Sequence, residues 1–353
     1  MSREHRIKGL RERQDHPTRR GFIKATSALA VAAMCRPVFA AEQDDPAIAA
    51  RVEDFFANNL IIDGVVQNAP KDGPSIRTPS ETKKLTGINA SFMTLKTHQL
   101  TEMAERYDKN TECYRLIRSA SDLDEAYASG RHAVGLYVQS GLELTEDLDQ
   151  LRTWHQQGLR CLQIAYDDVN SLGAGANDDE APLSPLGHDV VKLCEELGII
   201  VDVSHCGKRT TLDVAKVARK PITANHCNAE AVCKSRRNKS DAELRAIAAT
   251  GGVVGVMTIN CFLTLKGKAE VDDFCDHVEY MARRFGMKHV GVASDSMMDG
   301  GNIADRYECG PSLYCYERWA NVAANLFKRG FKEEHLAQIF GQNFKRVYDE
   351  TLG

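Results

Sequence analysis

Two histidines stand in matched settings. His205 follows the apolar run Ile199–Val203 through Ser204, and His226 follows the run Ile222–Asn225 directly. Neutral imidazole is a common transition-metal ligand, and two imidazoles on neighbouring strand ends can share one ion. Each histidine is followed by a cysteine, Cys206 or Cys227. Thiolates there would make a soft donor set suited to zinc or copper; buried free thiols or a Cys206–Cys227 disulfide are the alternatives. Polar residues also follow other apolar runs: Gln67, Gln139, Tyr166 and Asp295. Asp295 is the first candidate for a general base, with Asp167, Asp168 and Glu143 as substitutes. The histidines at 98, 132, 155, 188, 277, 289 and 335 lie in helical or loop patterns and read as solvated or packed.

These residues need a scaffold that brings strand ends together. Short runs rich in Val and Ile recur at Leu60–Asp63, Ala90–Leu95, Ala133–Val138, Cys161–Tyr166, Ile199–Val203, Ile222–Asn225, Val253–Thr258 and Val290–Ser294. They are apolar throughout, as strands covered on both faces are. Amphipathic stretches intervene at Asp147–Gln157, Pro185–Leu197, Thr211–Ala218, Asp241–Thr250 and Val271–Phe285. Ser240 with Glu243 forms a capping-box pattern, and Gly198, Gly251 and Gly286 stand where helices should stop. Eight strands alternating with helices predict an α/β fold, a single-domain (β/α)8 TIM-type barrel, with its chemistry at the C-terminal strand ends. The tail from Tyr316 to Gly353 reads as two helices closing the barrel. A doubly wound sheet is the alternative, weakened because no Gly-x-Gly-x-x-Gly follows a strand.

The N-terminus reads as an address. Arg19-Arg20-Gly21-Phe22-Ile23 precedes an uncharged run, Ala25–Met34, and Val38-Phe39-Ala40 offers a cleavage site. That order predicts a twin-arginine signal over residues 1–40, a mature barrel over 41–353, the twin-arginine translocase as export partner and a periplasmic destination. Removing 1–40 takes away nine of 45 Lys and Arg and three of 49 Asp and Glu, leaving 36 against 46, a net charge of -10. An acidic chain is no general nucleic-acid binder, and no 18-residue apolar run spans a membrane. Ten cysteines remain after cleavage. In an oxidising compartment some disulfides are expected, with Cys309 and Cys315 the closest local pair.

Longer stretches resemble the renal (membrane) dipeptidases, a metallopeptidase family of the amidohydrolase superfamily. Val201–Thr211 is similar to their fifth-strand signature and Pro221–Asn228 to their sixth. Cys233–Asn238, Gly251–Gly255, Val290–Asp295 and Phe340–Val347 continue the likeness, and Tyr166–Gly175 resembles a bacterial branch. The resemblance covers Leu60 to Val347. It implies a (β/α)8 barrel and hydrolysis of dipeptides by two bridged zinc ions. It assigns His205 and His226 to one zinc, Arg237 and Tyr166 to substrate, and Asp295 to proton transfer.

The likeness breaks where the other zinc would sit. The family's first-strand His-x-Asp is Val65-Val66-Gln67 here, and its bridging Glu is Gln139. Two nearby divalent ions repel, and carboxylates offset that repulsion. The sequence therefore predicts at most one ion, zinc in the first instance, on His205 and His226 with Gln139 as a weak third ligand. Copper, or no metal, is also compatible with these donors. The expected function is hydrolysis of dipeptides or small peptide-like amides. The alternatives are a tailoring step on a peptide natural product or siderophore precursor, and a catalytically inactive ligand-binding barrel. Homodimerisation is left open.

Overall fold

The computed structural model describes residues 45–67, 83–84, 86–144, 148–297 and 309–353. The export signal expected over 1–40 lies outside them. All eight predicted runs are strands, with ends shifted by a few residues. They are β1 (Ile62–Gln67), β2 (Ala90–Leu95), β4 (His132–Val138), β5 (Leu159–Gln163), β6 (Ile200–Asp202), β7 (Thr223–Ala224), β8 (Val253–Met257) and β9 (Val290–Ala293). Two short pieces, β3 (Tyr114–Leu116) and β10 (Ser296–Met297), were not predicted. Three and two residues are too few to show an alternation.

All pairings between these strands are parallel, in the order β10-β1-β2-β4-β5-β6-β7-β8-β9, with β3 beside β4. Because β10 continues β9 through Ser294 and Asp295, its pairing with β1 (Val66 with Ser296, Gln67 with Met297) closes an eight-membered barrel. The fold is the predicted (β/α)8 barrel. The register between β1 and β2 shifts between Asp63 and Val66. Val65 lies in the interior cluster with Ile62, Phe92 and Tyr137, whereas Gln67 reaches the mouth.

Helices Pro185–Leu197 and Val271–Phe285 have the predicted bounds. Ser240 and Glu243 make the expected capping box, with Glu243 Oε2 accepting from the Ser240 amide at 2.9 Å. The tail forms the two expected helices, the second carrying a π-helical turn within it. The first is Arg318–Lys328; the second runs through Glu333–Ala337, a π-helical turn over Gln338–Gln342, and Asn343–Leu352. The last of these drives Phe344 into the barrel floor. A Cβ on Gly291 would lie 2.4 Å from its ring, and one on Gly64 2.7 Å. Gly291→Ala is therefore expected to cost about 1–3 kcal/mol by overpacking, read as a lower urea midpoint at unchanged slope.

The expected disulfides do not form. Among the described residues every cysteine is free. Cys309 Sγ donates to the Thr258 carbonyl at 2.7 Å and Cys315 Sγ to that of Ser312 at 3.6 Å. His132, His277 and His289 are buried packing residues, and His132 opens β4 rather than lying in a loop.

Candidate functional site

The site begins with a buried carboxylate at the end of β6. Asp202 accepts the Tyr137 hydroxyl at 3.0 Å and the Ser204 amide at 2.9 Å on one oxygen. Its other oxygen accepts the Thr223 hydroxyl at 2.8 Å and the Asn225 amide at 2.7 Å. Four donors on one side chain tie the ends of β6 and β7 together, where His205 and His226 follow.

The two imidazoles face each other. Their Nε2 atoms are 3.0 Å apart, and both rings are buried. His205 Nδ1 is 2.8 Å from Asp167 Oδ1, and His226 Nδ1 is 2.8 Å from Asn225 Oδ1. A carboxylate only accepts, so His205 carries its proton on Nδ1. Ser204 Oγ takes the His226 amide at 3.2 Å and gives its own proton to Asn225 Oδ1 at 3.1 Å. With Asn225 Oδ1 accepting, His226 carries its proton on Nδ1 as well. Both Nε2 atoms then present lone pairs to each other with no hydrogen between them. Burial, Arg237 and Lys239 hold the His205 pKa well below the usual value; burial, His205, Arg237 and Lys239 do the same for His226. The rings are neutral at neutral pH. Two nitrogens on one tetrahedral zinc stand about 3.3 Å apart, given bonds of about 2.05 Å. The pair therefore has the bite of a cation chelate.

The neighbouring thiols are not ligands in this arrangement. Cys206 Sγ faces the Ala165 carbonyl at 3.8 Å and Cys227 Sγ the Ser204 carbonyl at 3.0 Å. Burial pushes the Cys206 thiol up to about 12 and raises that of Cys227 as well, which keeps both protonated. The soft-donor expectation is replaced by a nitrogen pair. Gln139 is close, with its amide nitrogen 3.5 Å from His226 Nε2.

Asp295 stands between β9 and β10 with a φ of 48°, a left-handed backbone uncommon outside glycine. The turn is held by two hydrogen bonds: the Asp295 amide donates to the Val65 carbonyl at 3.0 Å, and the Ser294 amide donates to Asp63 Oδ1 at 2.7 Å. Thr94 Oγ1 donates to Gln67 Oε1 at 2.8 Å, and Gln67 Nε2 donates to Asp295 Oδ1 at 2.6 Å. Burial pushes the Asp295 carboxyl up to about 6, against the pull of Gln67 and Arg237.

A cavity of about 690 Å³ opens at this end of the barrel, lined among others by Gln67, Thr94, Gln139, Glu143, Tyr166 and Asp167. Tyr166 stacks on His205 with ring centres 3.9 Å apart. Asp168 accepts from the Asn177 amide at 2.8 Å, and Glu143 bonds to Thr97. Arg237 is buried beside the two histidines. Its fork points at backbone, with Nη1 2.6 Å from the Ser204 carbonyl and Nη2 3.4 Å from that of His226. Sequence reading ranked Asp167 only as a substitute base and passed over Asn225. The signal for Asn225 was its place directly before His226.

The family comparison agrees with the geometry. The profile of the membrane dipeptidases, peptidase family M19, matches residues 74–352. The chain belongs to the membrane dipeptidase family. Dipeptidase tcpJ of Claviceps purpurea is 29% identical over 258 residues, which is 71% of this chain but 58% of that one. Two solved structures from Pseudomonas aeruginosa share the fold. An amidohydrolase superposes with a TM-score of 0.77 at 22% identity, covering 86% of this chain and 99% of its own. The probable dipeptidase PvdM gives 0.75 at 21%, covering 87% and 99%.

Of the donor set that the family resemblance implies, His205 and His226 are present as a facing pair. With both rings protonated on Nδ1, their facing lone pairs suit a cation, and the Gln139 amide nitrogen stands 3.5 Å from His226 Nε2. Where the second ion would sit, Val65 is in the barrel interior, and Gln67 and Gln139 are neutral amides. Among the described residues, no three His, Cys, Asp or Glu side chains converge on one point.

Proposed function

We propose that the chain is an exported metal-dependent hydrolase of dipeptides or small peptide-like amides that works with a single cation. The observation that carries this reading is the pair of facing Nε2 atoms, 3.0 Å apart, beside a cavity of about 690 Å³. His205 and His226 would hold the ion, with Gln139 adjacent. A zinc ion there supplies Lewis acidity toward a peptide carbonyl. Asp167 and Asn225 keep both imidazoles in the ligating tautomer. Asp295, ionised above about 6, is the base, and Gln67 directs its carboxylate. Tyr166 forms the substrate-side wall over His205. The twin-arginine pattern at Arg19-Arg20 supports folding, with the ion loaded, before export to the periplasm.

Elemental analysis of the purified chain is expected to give one zinc per chain. A panel of dipeptides assayed with zinc, manganese or cobalt is expected to include substrates. Gln139→Glu places an anion where a neutral amide now stands and should tighten zinc binding by about tenfold or more. Two ions per chain would overturn the single-cation reading, and no hydrolysis of any dipeptide would overturn the substrate class. The loss of carboxylates also favours a second reading, a tailoring step on a peptide natural product or siderophore precursor; release of amino acids from simple dipeptides would exclude it.

A further inference from the structure

Two buried cations lie one residue apart in the segment that follows β7. Arg237 and Lys239 are 7% and 2% exposed, values that mark both as interior. Long cationic side chains are costly to bury, so their contacts show what they are retained for. Arg237 reaches the carbonyls of Ser204 and His226. Lys239 Nζ reaches the carbonyl of Cys206 at 2.6 Å, the Thr211 hydroxyl at 2.9 Å and Glu243 at 3.2 Å. The carbonyls of the two residues flanking His205, and that of His226 itself, are thus each held by one of these two cations.

The segment is itself fixed. The Lys239 amide donates to the Asn228 carbonyl at 2.9 Å, and the Glu230 amide to the Lys239 carbonyl at 2.9 Å. Asn238 Nδ2 donates to the carbonyls of Cys233 and Phe262, each at 2.8 Å. Hydrogen bonds from charged donors are stronger and more directional than neutral ones.

We infer that Arg237 and Lys239 form a positioning strap that sets the separation of the two imidazoles. The inference rests on the metal reading of His205 and His226 only for its first readout. Two variants test it: Arg237→Lys, which keeps the charge and loses the fork, and Lys239→Met with Glu243→Leu, which removes the ion pair without leaving a buried orphan charge. With circular dichroism confirming the fold, each should bind Co2+ about 10- to 100-fold more weakly than the parent chain, with a changed visible spectrum. Parent-like affinity and spectrum in both variants would overturn the strap. If the parent chain binds no Co2+, the metal reading fails on its own. The strap is then decided by crystal structures of the metal-free parent and variants, in which the Nε2 atoms should move apart from 3.0 Å. An unchanged separation would overturn it, and a folded Lys239→Met, Glu243→Leu chain decides the matter even if Arg237→Lys does not fold.

Discussion

Replacing His205 and His226 together with Ala is expected to abolish stoichiometric zinc binding. Both Nε2 atoms are lone-pair donors aimed at one point, and each is held there through its other nitrogen by Asp167 or Asn225. Removing them leaves Gln139 and water, weak neutral ligands for a borderline-soft ion. The dissociation constant should rise by at least about 10³-fold, on the order of 4 kcal/mol or more, measured by competition with a chromophoric chelator. Single replacements should give intermediate losses. The fold should survive, because two neutral imidazoles with facing lone pairs repel when no cation lies between them. A double variant that retains one tightly bound zinc would remove the central premise of the site.

Asp295→Asn should lower kcat by about 10²- to 10⁴-fold on any dipeptide the parent hydrolyses, the usual range for losing a positioned base. Gln67 would still hydrogen-bond to the amide oxygen, so KM should change little. The pH profile gives an independent check. A carboxyl raised to about 6 by burial is protonated, and useless as a base, below that pH. Activity of the parent should therefore fall on the acid side of about 6, and the residual activity of Asp295→Asn should lack that limb. The same shift has a stability consequence. The folded carboxyl binds its proton more tightly than the unfolded one, so the native state loses stability as pH rises from about 4 to about 6. The Asn variant should lose less across that window. An unchanged acid limb in the variant would assign the titration to another group, and Asp63, also raised to about 6 by burial, is the nearest alternative.

Local pattern carried much of this architecture. Runs such as Ala90–Leu95 and Val253–Met257 are buried at every position, and that continuous apolarity shows in a one-dimensional reading. Helix limits at Pro185 and Gly198 were equally legible, since capping and left-handed termini depend on near neighbours. The two-residue strand β10 was not, although it closes the barrel.

The chemistry divides in the same way. Residue types alone determined that two histidines follow neighbouring strands and that Val65, Gln67 and Gln139 stand where the resemblance implies His, Asp and Glu. Only the closed barrel decided where these side chains point. Gln67 and Asp295 are 228 residues apart in sequence and 2.6 Å apart in space. Asp167 meets His205 across 38 residues, and the tautomer of His205 depends on that contact. The Arg237 fork meets the carbonyls of Ser204 and His226, 33 and 11 residues away in sequence. Composition and periodicity report whether a side chain is buried, a property of its own chain segment. The direction of a hydrogen bond depends on partners that arrive from other strands, and it exists only once those strands have packed.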